Sequence, residues 1–143
     1  MAVRRIARVP ATGVVAITKK GEITLISDSR KKAIRAAETA LGKKANDTII
    51  LELRDLSTIA DYFVICSGDN PAQIKAIAEA IQENFSKVKV FPVGKEGMNS
   101  TRWVLIDYGD VVIHIFDQET RAYYELEKLW IDAPRIPLKE KRK

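Results

Sequence analysis

The chain has 143 residues, 46% of them hydrophobic and 30% charged, with one cysteine and one histidine. That length fits one domain with extensions, and the composition is ordinary for a soluble globular protein. A single cysteine excludes an intrachain disulfide, and no apolar run approaches the roughly 18–20 residues that span a bilayer.

Cys66 lies in the apolar run Tyr62-Phe63-Val64-Ile65-Cys66, which predicts a buried structural thiol and a reducing, cytoplasmic setting. Residues 14–17 are too short for a signal-peptide core. The net charge of +5 conceals a split. Residues 1–44 carry 11 Lys/Arg against 3 Asp/Glu, residues 45–138 carry 9 against 15, and residues 139–143 carry 4 against 1. A nucleic-acid reader gathers positive charge on its folded face. Here the body is acidic and the ends are basic, which suits a basic protein partner, with RNA contact left to the termini.

In chain order, residues 1–27 form a basic N-terminal extension. Its pattern around Lys19-Lys20-Gly21 fits a β-hairpin or a loosely ordered segment. Asp28 or Ser29 is placed to cap a first helix, with Ile34, Ala37 and Leu41 on its apolar stripe and Gly42 at its end. Residues 48–54 are β-rich. Residues 62–66 are almost wholly apolar, as in a strand covered on both faces. Pro71 opens a helix whose Ile74, Ile77, Ala78, Ile81 and Phe85 recur at helical spacing.

Residues 88–93, interrupted by Pro92, predict a short edge strand, and residues 95–100 a loop. Residues 103–106 and 111–116 flank Asp107-Tyr108-Gly109-Asp110 as a tight hairpin. Asp117 is placed to cap a last helix carrying Tyr123, Leu126, Leu129 and Trp130. Pro134 and Pro137 then end the ordered region. The expected organisation is an extension over 1–27, a domain over 28–133 and a basic tail over 134–143. Its order α-β-β-α-β-β-β-α predicts an α/β (α+β) mixed sheet with flanking helices.

Catalytic signals are weak. One Cys and one His cannot supply a structural zinc site. His114, in a run whose alternation puts Val112, His114 and Phe116 on one face, reads as a hydrogen-bonded or surface residue. Ser67-Gly68 follows a strand and precedes a helix, as in a phosphate-binding turn. Nucleotidyl transfer also needs paired carboxylates to hold magnesium, and Asp107 and Asp110 bracket a turn instead. The aromatics Trp103, Tyr108, Tyr123, Tyr124 and Trp130 gather in the last third. Tyr108, in a turn between acids, has the signature of an exposed interface anchor.

The residues that carry a likeness are Asp55-Leu56-Ser57, Ile59 through Gly68, Glu96-Gly97, Trp103 through Phe116, Arg121, and Tyr124-Glu125-Leu126-Glu127-Lys128-Leu129-Trp130. Over about residues 30–133 the chain resembles the iojap-like family, the bacterial ribosomal silencing factors. The resemblance implies a five-stranded mixed sheet of nucleotidyltransferase-like topology without the catalytic residues. It implies no enzymatic activity and no cofactor. It further implies a translational repressor that binds the large ribosomal subunit through that subunit's basic protein fourteen and so blocks the small subunit. Members are often dimeric when free, which sets the expectation of a homodimer. The alternatives are a nucleotidyltransferase-like enzyme and a direct RNA binder. The partner-binding residues are expected at Trp103, Asp107, Tyr108, Asp110, Tyr124 and Glu125.

Overall fold

The computed structural model describes residues 28–99 and 102–138. The expected extension over 1–27 and residues 139–143 of the tail lie outside them.

Helix α1 (Ser29–Gly42) begins at Asp28, whose side chain accepts from the Arg30 and Lys31 backbone amides. Its buried stripe is Ala33, Ala36, Ala37 and Ala40, while Ile34 and Leu41 stay half-buried at its flanks. Short alanine side chains let this helix lie close over the sheet. Strand β1 (Asn46–Glu52) and strand β2 (Tyr62–Gly68) pair antiparallel, and β2 is buried along its whole length. Helix α2 (Pro71–Ser86) is capped by Asn70 and buries the five expected residues, Ile74, Ile77, Ala78, Ile81 and Phe85.

The expected strand over 88–93 does not form. Lys89 takes φ +63° as the chain leaves α2, and Val90 N–H bonds back to Phe85 O. Pro92 has no N–H for a ladder. The chain therefore joins the sheet only from Val93, whose N–H donates to Asp107 O, and β3 is Gly94–Glu96. Strands β4 (Trp103–Asp107) and β5 (Val111–Asp117) follow as the expected hairpin, with Gly109 at φ +93°.

The five-stranded mixed sheet runs β1-β2-β5-β4-β3, with β2 and β5 parallel and the remaining pairs antiparallel. Central β2 and β5 carry the longest apolar runs, as strands covered on both faces should. Helices α1 and α2 cover one face, over Val64, Cys66, Val104, Ile106, Ile113 and Ile115. The other face holds Leu51, Leu53, Phe63, Ile65, Val112 and Phe116, with Leu126, Trp130 and Ala133 packed there from the C-terminal segment.

The expected last helix is two short ones, α3 (Gln118–Tyr124) and α4 (Leu126–Leu129), divided at Glu125 with φ +45°. This left-handed residue rotates Leu126 and Trp130 toward the sheet while Tyr123 and Tyr124 face outward. Order also continues past Pro134. Glu52 N–H donates to Pro134 O, Ile136 N–H donates to Ile50 O, and Ile136 is buried, so residues 134–136 extend the sheet beside β1. Among the described residues, no helix is long and apolar enough to cross a membrane.

Candidate partner-binding surface

Along β4, alternation sends Val104 and Ile106 under the helices and Trp103, Leu105 and Asp107 to the opposite face, where all three stay half-exposed. From there an aromatic ladder runs outward. Phe116 is fully buried, and its ring centroid lies 4.9 Å from that of Trp103. Trp103 stands 4.8 Å from Tyr124, and Tyr124 stands 5.0 Å from Tyr123. Exposure rises along it to 48% at Tyr124 and 79% at Tyr123. Glu125 is exposed beside the ladder, facing Lys128 at 3.6 Å. Leu129 and Ile131, in the segment that follows, are also exposed, at 69% and 70%. An aromatic and aliphatic surface flanked by carboxylates has the makeup of an interface core with a charged rim.

The six residues expected at the interface therefore divide. Trp103 and Tyr124 are in ring contact, Glu125 follows Tyr124, and Asp107 shares the face of Trp103 about 13 Å along the strand. Trp103 lies within β4, which β3 covers only as far as Leu105, so it sits beside the sheet's outer end without being on an edge strand.

Tyr108 is a correction. It is 6% exposed and packs 4.5 Å from Phe85, because it keeps the parity of Val104 and Ile106 and so points under α2. Burial pushes its phenol up to about 12. Asp110 is already engaged: Lys32 Nζ lies 2.9 and 3.1 Å from its two carboxylate oxygens. Asp107 Oδ1 accepts from Gly109 N–H, which shapes the turn. Leu105 and Tyr123 were missed. Leu105 alternates with Trp103 in the same strand, and that signal was legible.

The other end of the sheet bears on the transferase alternative. Gly68 pairs with Asp117 at the C-terminal ends of β2 and β5, whereas Asp107 and Asp110 lie at the start of β5. Asp107 and Asp110 are therefore at the opposite end of the sheet from the Ser67-Gly68 turn. The turn is also filled from within. Arg121 donates to Ser67 Oγ at 2.8 Å and to the Asn46 and Asp47 carbonyls, and pairs with Glu127 at 2.8 Å. Asp69 N–H is taken by Gln73 Oε1. Burial pushes the Cys66 thiol up to about 12, so it is no nucleophile at neutral pH. Among the described residues there is no group of three or more His, Cys, Asp or Glu placed to hold a metal ion.

Comparison with known proteins agrees with this architecture. The ribosomal silencing factor RsfS of Bacillus subtilis is 41% identical over 111 residues, spanning 77% of this chain and 94% of its own length. Mitochondrial assembly of ribosomal large subunit protein 1 of Mus musculus is 33% identical over 91 residues, spanning 62% of this chain and 40% of its own. A crystal structure from Chromobacterium violaceum superposes with TM-score 0.71 at 31% identity, covering 80% of this chain and 94% of that one. The family described as "Ribosomal silencing factor during starvation" matches residues 26–143, and the chain belongs to that family.

Proposed function

We propose that this protein represses translation by binding the large ribosomal subunit, through its basic protein fourteen, and sterically excluding the small subunit. The observation that carries this reading is the outward aromatic ladder of Trp103, Tyr124 and Tyr123 beside Glu125, with Asp107 further along the same face of β4. The names of the relatives support a ribosomal role, and the mitochondrial relative's name points to the large subunit. The physical logic is exclusion: a folded domain seated on a surface that another subunit must meet blocks joining without chemistry. The apolar ladder supplies affinity, and the acidic body speeds and orients encounter with a basic surface. The basic termini would add contacts to nearby rRNA.

The test is co-sedimentation of the full chain with separated ribosomal subunits. Wild type is expected with the large subunit and not with the small one. Tyr124→Ala removes a half-exposed ring from the ladder and should weaken binding by roughly thirtyfold, about 2 kcal/mol, with an unchanged melting temperature. Recovery with the small subunit alone would sink the proposal. A folded Tyr124→Ala that binds normally would relocate the surface.

A further inference from the structure

We propose that His114 is a positioning residue for this docking face: its Nδ1 fixes the Trp103 indole in the orientation that a partner meets. The inference rests on the functional reading above and deepens it. Trp103 Nε1–H donates to His114 Nδ1 at 3.1 Å. An indole nitrogen is a donor only, so Nδ1 must present its lone pair and the neutral ring carries its proton on Nε2. The ring is 4% exposed, with Phe63 at 4.5 Å and Phe116 nearly parallel at 6.1 Å. Turning the ring over would leave it between the same neighbours but put Cδ2 where Nδ1 stands, and the hydrogen bond would be lost.

His114 Nε2 is buried with no hydrogen-bond partner among the described residues. An orphaned polar group is a cost that Leu or Phe would avoid here, where Val112 and Phe116 share the face. What an apolar residue cannot supply is the acceptor for the indole. Trp103 is the rung at which the ladder passes from core to surface, so fixing its ring also fixes the seat of Tyr124. A preformed surface loses less freedom on binding than one whose anchor must be ordered first.

Three substitutions separate this role from simple packing. In His114→Asn the amide oxygen can stand where Nδ1 stands. In His114→Gln it lies one bond further out, although Gln is nearer His in volume. His114→Phe keeps the ring and loses the acceptor. The readouts are the Trp103 indole N–H resonance of the free, 15N-labelled full chain, assigned by its loss in Trp103→Phe, and affinity for purified large subunits.

We expect His114→Asn to keep the indole resonance at its wild-type position and to bind within about threefold of wild type. His114→Gln and His114→Phe should shift that resonance and bind about tenfold more weakly. If His114→Phe fails to fold, the Asn and Gln pair decides. A role in packing alone predicts that Gln performs at least as well as Asn, and that result overturns the inference. So does an unmoved indole resonance in the Gln variant, or wild-type affinity despite its shift. Failure of the wild type itself to sediment with the large subunit overturns the functional reading, and the inference with it.

Discussion

Lys32 on α1 and Asp110 in the β4–β5 turn meet at 2.9 Å, with side chains only 15% and 30% exposed. Next to them Ser29 Oγ donates to Asp61 Oδ2 at 3.0 Å, and the Asp61 and Tyr62 amides both donate to Asp110 O. The N-terminal turn of α1 is thus fastened to the end of the sheet away from the Ser67-Gly68 turn.

Asp110→Lys should therefore act on stability. It places two cations together at a half-buried site and should cost about 1–2 kcal/mol, lowering the melting temperature by several degrees. The exchanged pair Lys32→Asp with Asp110→Lys should recover part of the loss, which a double-mutant cycle in urea would measure. Equal losses in the single and exchanged variants would show that the ion pair is immaterial.

Tyr108 separates two effects in one side chain. Tyr108→Ala empties a site against Phe85 and should cost about 3–5 kcal/mol. The hydroxyl has no hydrogen-bond partner among the described residues, so Tyr108→Phe should be neutral or stabilising by up to about 1 kcal/mol. Thermal denaturation of the two variants tests this. A drop for Tyr108→Phe comparable with that of alanine would contradict the assignment.

These residues also mark how much was legible in the sequence. Helix α2 was read correctly because one apolar period serves both local helicity and burial, so Ile74 through Phe85 had a single interpretation. Strand β4 is legible at period two, and β2 and β5 as short continuous apolar runs bounded by turn residues. Tyr108 was misread because turn composition was weighed above strand parity, which persists one residue beyond Asp107. Residues 88–93 have β-forming side chains, but the way the chain leaves α2, with Lys89 in a left-handed conformation, decides where pairing begins. The break at Glu125 had no signal, since glutamate is not a residue that favours positive φ. Gly97, inside the quoted Glu96-Gly97 pair, has a reason visible only in three dimensions. At φ +75° a Cβ there would stand 2.2 Å from the Trp103 carbonyl oxygen. At the candidate surface, Trp103 and Tyr124 were legible as amphipathic aromatics, whereas their contact depends on how α3 returns over β5.

Acid should weaken the fold through His114. Burial lowers its pKa from 6.5 to about 3, so the folded state holds the ring neutral while the unfolded chain takes up a proton below 6.5. This contribution is fully present above the unfolded value and is lost as pH falls toward 3. Between pH 7 and pH 5 the loss should be about 2 kcal/mol. His114→Phe cannot bind that proton, so its urea midpoint should fall less over the same interval. Parallel slopes for wild type and variant would place the acid sensitivity elsewhere.

Arg121 is the residue whose conservative replacement should cost most. Its side chain is 11% exposed, and its guanidinium binds Ser67 Oγ, the Asn46 and Asp47 carbonyls and Glu127 at once. Asp47 is itself at φ +48°, within an irregularity in the β1–β2 pairing that the guanidinium helps to hold. Lysine keeps the charge but offers one ammonium in place of a planar fork, so it cannot reach both strand ends and Glu127 together. Arg121→Lys should lose about 2 kcal/mol of stability in urea denaturation, from the guanidinium hydrogen bonds to Ser67, Asn46 and Asp47 that an ammonium cannot all replace. Because Arg121 and Glu127 lie on either side of the Glu125 break, their pairing also sets the angle at which α3 presents Tyr124. The same variant, assayed well below its melting temperature, should bind the large subunit more weakly than Tyr108→Phe does. Wild-type binding by a destabilised Arg121→Lys would mean that the clamp serves folding alone.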